Sequence, residues 1–194
     1  MPFTVTAIDS ATAQICRDEV ASGTRPGRRV TLDEAGAPCR HCLRPGQIGE
    51  DMVLFTYQPF AGDGPYTAPS PIFLHAEGCD PYDDRDELPA LLRHGLRAVR
   101  SYDDQHDLID GDVVAGTDLE VAIDRLLNDD RAAYLHVHSA TAGCFTCRID
   151  PAPGRLRPSD GGSVGQGLAS DDSQQLQLVV ALAAGGGGED EESL

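Results

Sequence analysis

The run Leu96-Arg97-Ala98-Val99-Arg100-Ser101-Tyr102, the acidic link Asp103-Asp104-Gln105-His106, and Leu108-Ile109-Asp110-Gly111-Asp112-Val113-Val114 decide the fold class. Two β-rich segments joined by a short polar link pair antiparallel, because a parallel return needs a crossover of a dozen or more residues. A helix is expected next, at Thr117-Asp118-Leu119-Glu120. Thr117 as N-cap with Glu120 at the third helical position makes a capping box, which satisfies two orphan amides reciprocally. Leu119, Ile123, Leu126 and Leu127 then recur at helical spacing and give one apolar face toward a sheet. Working outward, strands are predicted over 3–8, 51–57, 71–75, 132–138 and 144–149. Helices are predicted over 11–20, capped by Ser10, and over 86–93. Many strands with few, non-alternating helices indicate an α+β fold with a mainly antiparallel sheet and two or three short helices.

The composition changes near Asp150. Residues 151–194 hold a Gly185–Gly188 run followed by Glu189-Asp190-Glu191-Glu192, and few large apolar groups outside Leu176–Leu182. This division predicts one α+β domain over 1–150 and a disordered, low-complexity acidic tail over 151–194. The apolar run at 176–182 suits a frayed amphipathic stretch or a short docking helix.

The chain has 194 residues and a formal net charge of −17. Such an excess of acid argues against nucleic acid as a partner, since phosphate contacts need clustered cations. It argues equally against an anionic membrane surface. All 15 basic residues are Arg, so neither a P-loop lysine nor a Schiff-base lysine exists. The first residues, Met1-Pro2-Phe3-Thr4-Val5-Thr6, lack the basic and apolar regions of a signal peptide, and a cytoplasmic location is expected. In that reducing compartment, paired cysteines are more often metal ligands or redox groups than disulfides.

The strongest chemical signal is Pro38-Cys39-Arg40-His41-Cys42-Leu43 followed by His75-Ala76-Glu77-Gly78-Cys79. A C-x2-C turn lets two thiolates converge on one ion. The H-x3-C pair just beyond a strand supplies the other two tetrahedral positions. Cys39, Cys42, His75 and Cys79 are thus the predicted ligands of a structural zinc. The alternative is that Cys39 and Cys42 are ordinary buried thiols and His75 closes its loop. His41 is the competing imidazole, disfavoured because ligands at 39, 41 and 42 strain a short turn.

A possible second site comprises His136, His138, Cys144 and Cys147. The two histidines share one strand face. The two cysteines are three apart and point to opposite faces of a flat strand, so their convergence needs a bulge or turn at Gly143. A thioredoxin-like pair requires a helix N-terminus that is not visible here. Cys16 reads as a small buried hydrophobe, while His94 and His106 read as exposed. No sequence signal marks a catalytic residue.

Several motifs together resemble one bacterial family. They are Pro38-Cys39-Arg40-His41-Cys42-Leu43-Arg44, Tyr57-Gln58-Pro59-Phe60, Pro71-Ile72-Phe73-Leu74-His75-Ala76, Arg100-Ser101-Tyr102-Asp103, Tyr134-Leu135-His136-Val137-His138, and Gly143-Cys144-Phe145-Thr146-Cys147-Arg148-Ile149-Asp150. The combination resembles the domain of unknown function 1203, over most of residues 1–150. That family carries no established activity, so the resemblance implies kinship without a mechanism. The expectation is a small zinc-stabilised interaction or regulatory domain with a protein partner. The alternative is a metal- or thiol-dependent enzyme working at His136/His138 and Cys144/Cys147.

Overall fold

The computed structural model describes residues 3–152. The expected acidic tail, including the run at 176–182, lies outside the described residues from 153 onward. The chain order is β1 (Phe3–Thr6), α1 (Ser10–Ser22), β2 (Gly27–Thr31), β3 (Gly36–Pro38), β4 (Pro45–Gly46), β5 (Asp51–Tyr57) and β6 (Ser70–His75). It continues through β7 (Leu96–Tyr102), β8 (Leu108–Ala115), α2 (Leu119–Leu127), β9 (Tyr134–Ser139) and β10 (Phe145–Pro151). Short 3-10 helices occupy Ala90–Arg93 and Gly116–Asp118. The fold is α+β with antiparallel sheets and two α-helices among the described residues.

One sheet has five strands in the order β1-β10-β9-β7-β8, another has three in the order β2-β5-β6, and β3-β4 form a small ribbon. The β7–β8 hairpin is antiparallel with Val99 opposite Asp112, as the sequence predicts. The chain ends meet in the five-stranded sheet, where Phe3 pairs with Pro151. The last strand therefore extends one residue past the boundary expected at 150.

Each large sheet has its own core. Helix α2 lies over β7, β8 and β9. Its Leu119, Ile123, Leu126 and Leu127 are buried against Val99, Leu135, Val137 and Ile149. Fully burying a side chain of this kind contributes about 1.5–3 kcal/mol, so this interface anchors the five-stranded sheet. On the other sheet, Ala13 and Cys16 of α1 pack over Met52, Phe55, Ile72 and Leu74. Cys16 is a buried packing residue, as expected.

Two caps differ from the sequence reading. Asp9, one residue earlier than Ser10, caps α1, accepting from the Thr12 amide at 2.9 Å. Ser10 instead turns inward to His41, with Oγ and Nε2 3.0 Å apart. At α2 the Thr117/Glu120 box does not form, because residues 116–118 tighten into a 3-10 turn and Asp118 precedes the helix without a side-chain cap. Glu120 is drawn to Arg93 at 3.0 Å instead. Gly116 explains the tight turn: a Cβ there would collide with the Leu92 carbonyl and the Arg93 backbone. The predicted helix over 86–93 shrinks to its last turn, since Pro89 restricts the residue before it to extended geometry.

Candidate metal centre

β3 delivers Cys39 into a turn that runs to Leu43, which adopts φ 52. The turn is held by its own backbone, with the Leu43 amide on the Cys39 carbonyl at 3.0 Å and the Cys39 amide on the Arg44 carbonyl at 2.9 Å. It is also tied to both neighbours. The Arg40 amide donates to Phe73 of β6 at 3.0 Å, and the Arg40 carbonyl accepts from Ile8 at 2.9 Å. β6 ends at His75, and the following turn uses Gly78 at φ 89 to bring Cys79 back toward the knuckle. β5 and β6 keep this register, with Met52 opposite His75.

One ligand atom from each of Cys39, Cys42, His75 and Cys79 lies within 4.8 Å of every other. The pairwise geometry is informative. Cys39 Sγ and Cys79 Sγ are 3.8 Å apart, and Cys42 Sγ stands 3.5 Å from His75 Nδ1. Donors at metal distances of about 2.3 Å (sulfur) and 2.0–2.1 Å (nitrogen) on a tetrahedron are separated by roughly 3.5–3.8 Å. The cluster thus has the dimensions of a four-coordinate site and can hold a metal ion. Cys39 and Cys42 are 0% and 4% exposed, which shields it from solvent.

The surrounding groups suit ligation. His75 turns Nε2 toward Glu50 Oε2 at 3.4 Å while Nδ1 faces the cluster. This carboxylate–imidazole relay fixes the ring and its tautomer around a metal. His41 Nδ1 is 3.3 Å from Cys79 Sγ. With its proton on Nδ1 it donates to that sulfur, and Nε2 accepts from Ser10 Oγ. Arg17, only 8% exposed, donates through Nε to the His75 carbonyl at 2.8 Å, while its Nη2 is buried without a hydrogen-bond partner.

The thiols alone form an uneasy set. Cys42 is pushed up to about 12 by the adjacent Cys39 thiol and by burial. Cys79 is lowered, chiefly by a hydrogen bond from Cys39. At Cys39 the Cys42 hydrogen bond acts downward but is outweighed by Cys79 and burial, so the group ends raised. Three thiols this close cannot all ionise without a cation, and a divalent ion removes that conflict.

The second predicted set does not converge. The register is shifted between Phe145 and Cys147, yet Cys147 still enters the core beneath α2, beside Val137 and Ile149. His136 and His138 point to the opposite face. Cys147 is fully buried and raised to about 12 by that burial. Cys144 is half-buried in the preceding turn, with Sγ 3.6 Å from the Ala142 carbonyl. His136 sits among Phe60, Phe145, Tyr134 and Tyr102, with ring centroids 4.7, 4.8, 5.1 and 5.2 Å away. Burial lowers it to about 2, and neither ring nitrogen has a hydrogen-bond partner. His138 is lowered to about 4, again mainly by burial, and its Nδ1 lies 3.0 Å from the Gly143 carbonyl.

Sequence reasoning missed Glu50, Arg17 and the Ser10–His41 contact, which come from distant segments with no motif of their own. It also took His106 as exposed. That ring is half-buried, with Nδ1 2.6 Å from the Tyr134 hydroxyl and Nε2 3.0 Å from the Ala61 carbonyl.

The fold and the cluster define a small antiparallel α+β domain with a Cys3His centre. The chain belongs to the family described as Protein of unknown function (DUF1203), whose sequence pattern matches residues 36–150. The match starts at β3, just ahead of Cys39, and spans all four cluster residues. Among curated proteins and solved structures, nothing matches the chain.

Proposed function

We propose that Cys39, Cys42, His75 and Cys79 hold one structural zinc ion. The domain would then serve as a zinc-stabilised interaction or regulatory module of the bacterial cytoplasm, with no catalysis of its own. The observation that carries this reading is the closure of the donor set: three sulfurs and one imidazole within 4.8 Å of one another. Four protein donors fill a tetrahedron and leave no position for water or substrate, and a Cys3His set suits zinc over harder ions. Bound zinc supplies the positive charge that keeps three thiolates together. The chain does the rest: Glu50 orients His75, His41 satisfies the Cys79 sulfur, and the two loops are clamped across β6. All six cysteines are free thiols, which fits a reducing compartment. Among the described residues no helix is long and apolar enough to cross a membrane. The acidic charge favours a protein partner over nucleic acid or a membrane surface.

The enzyme reading has one observation in its favour, the unpaired ring nitrogens of His136 and of His138 Nε2. It lacks a thiol pair, because Cys147 lies on the far face of its strand from the histidines.

The test is metal content and coordination on protein purified without chelator or added metal. One zinc per chain is expected, with X-ray absorption showing three sulfurs, one nitrogen and no oxygen, and almost no metal in Cys39→Ser. A chain that holds no metal and takes none up overturns the proposal. A zinc–oxygen shell overturns the closed, non-catalytic reading.

A further inference from the structure

Behind the knuckle lies a cavity of about 480 Å³ lined by parts of all three sheets, including Pro38, Pro45 and Phe73. Leu91 and Ala142 add apolar wall. Its size falls in the range of small-molecule sites, roughly 300–1,000 Å³. Two arginines, Arg40 and Arg97, line this apolar space, and among the described residues no acidic one does.

Both arginines are anchored in place. Arg40 is 2% exposed; its Nε donates to the Phe145 carbonyl at 2.7 Å and its Nη1 to the Pro38 carbonyl. Arg97 donates from Nη2 to the Leu91 and His94 carbonyls at 2.5 and 2.7 Å, and from Nε to Leu92 at 3.4 Å. Neither forms an ion pair with a carboxylate among the described residues; Arg28, Arg44, Arg85 and Arg100 also form none there, but they are exposed to water, whereas Arg40 is buried and Arg97 half-buried. In a chain of net charge −17, two cations without a carboxylate partner among the described residues line one apolar cavity. Carbonyl dipoles orient them but do not neutralise them, and a desolvated charge without a counter-charge is unfavourable. An anion that brings its own apolar body meets both needs: its charge answers the guanidinium groups, and its body displaces water from the apolar wall.

We propose that this cavity binds a small organic anion, with its carboxylate or phosphate between Arg40 and Arg97 and its apolar part against Phe73 and Leu91. Ser139 and Thr146 also line the wall. Cys144 lines the same cavity, so an occupant covers its thiol.

The test uses the full chain with its metal retained and 8-anilinonaphthalene-1-sulfonate as fluorescent probe. Displacement is then measured with 4-phenylbutyrate, phenyl phosphate and the neutral 4-phenylbutyramide. One or both anions should displace the probe at least tenfold better than the amide, and which of them does so separates a carboxylate from a phosphate ester. The better anion should also slow alkylation of Cys144. Arg97→Met should weaken displacement by that anion at least tenfold, while Arg100→Met, on an exposed residue outside the cavity, leaves it unchanged. Because Arg97 also holds the 3-10 turn at Ala90–Arg93, Ala142→Trp gives a second variant, which fills the cavity without removing a charge and should abolish binding. Displacement by the amide as good as by either anion overturns the proposal. So does the absence of any displacement, or binding unchanged in Ala142→Trp.

Discussion

Removing the proposed metal is the perturbation with the largest expected effect, and its size follows from linkage. An ion that binds the folded chain alone stabilises it by about 4.1 kcal/mol when free metal is 1,000-fold above Kd. For a body of about 150 residues, each kcal/mol moves Tm by roughly 2–4 °C, so stripping the ion should lower Tm by about 8–16 °C. The structure makes this loss hard to recover. The cluster joins the 39–42 turn to the 75–79 turn, and the Cys39 and Cys42 side chains left behind are buried. The assay is calorimetric melting at pH 7.5 under a phosphine reductant, in buffers that clamp free zinc over several decades. Above Kd, Tm should climb by about 3–6 °C per tenfold zinc, since each decade is worth about 1.4 kcal/mol. Cys39→Ser should give a flat, low line. The climb should shrink in acid, because protons compete with the ion for the thiolates. A parent chain whose Tm ignores zinc across the whole range, and matches Cys39→Ser, refutes the reasoning.

Other expectations follow from single contacts. Glu50→Gln removes the carboxylate behind His75 and should weaken zinc about 10–100-fold, read by competition with a chromogenic chelator, while leaving the saturated fold intact. Leu126→Ala, at 2% exposure beneath the five-stranded sheet, should cost about 2–5 kcal/mol in urea unfolding of the zinc-saturated chain. Alkylation at pH 7 should label half-buried Cys144 and spare Cys147, whose thiol is fully buried and raised to about 12.

The hairpin at 96–114 and the apolar face of α2 were legible because strand alternation and helical recurrence are local signals. The four cluster residues were legible because C-x2-C and H-x3-C are spacings imposed by a turn. β2 was not anticipated. Gly27-Arg28-Arg29-Val30-Thr31 is polar and mostly exposed, and it becomes a strand by pairing with β5, where Arg29 meets Asp51 at 2.8 Å. The caps failed for a similar reason. A capping box weighs about 1 kcal/mol, and at Thr117 the close approach of Gly116 to the Ala90–Arg93 turn decides the geometry instead. Glu50 behind His75 and Arg17 over the end of β6 come from separate elements, and only the fold brings them together.

The buried histidines yield the last expectation, and its sign can be worked out. In the unfolded chain a histidine protonates near pH 6.5, whereas burial holds His136 at about 2 and His138 at about 4 in the folded chain. Below pH 6.5 the unfolded state therefore binds more protons, and stability falls as pH falls. By pH 5 the loss is about 2 kcal/mol for each ring. His136→Phe places an apolar ring among Phe60, Tyr102, Tyr134 and Phe145 and removes two buried nitrogens that lack partners. The substitution should therefore stabilise the protein by about 1 kcal/mol at pH 7.5, because the unmatched desolvation is gone. It should also remove the roughly 2 kcal/mol that this ring costs by pH 5, read as the difference from the parent at the same free zinc, so that the metal's own pH dependence cancels. Urea unfolding at a series of pH values reads both effects. A variant that is less stable at pH 7.5 and keeps the full acid slope would mean that His136 has a bound partner in solution, and the enzyme reading of that face would regain ground.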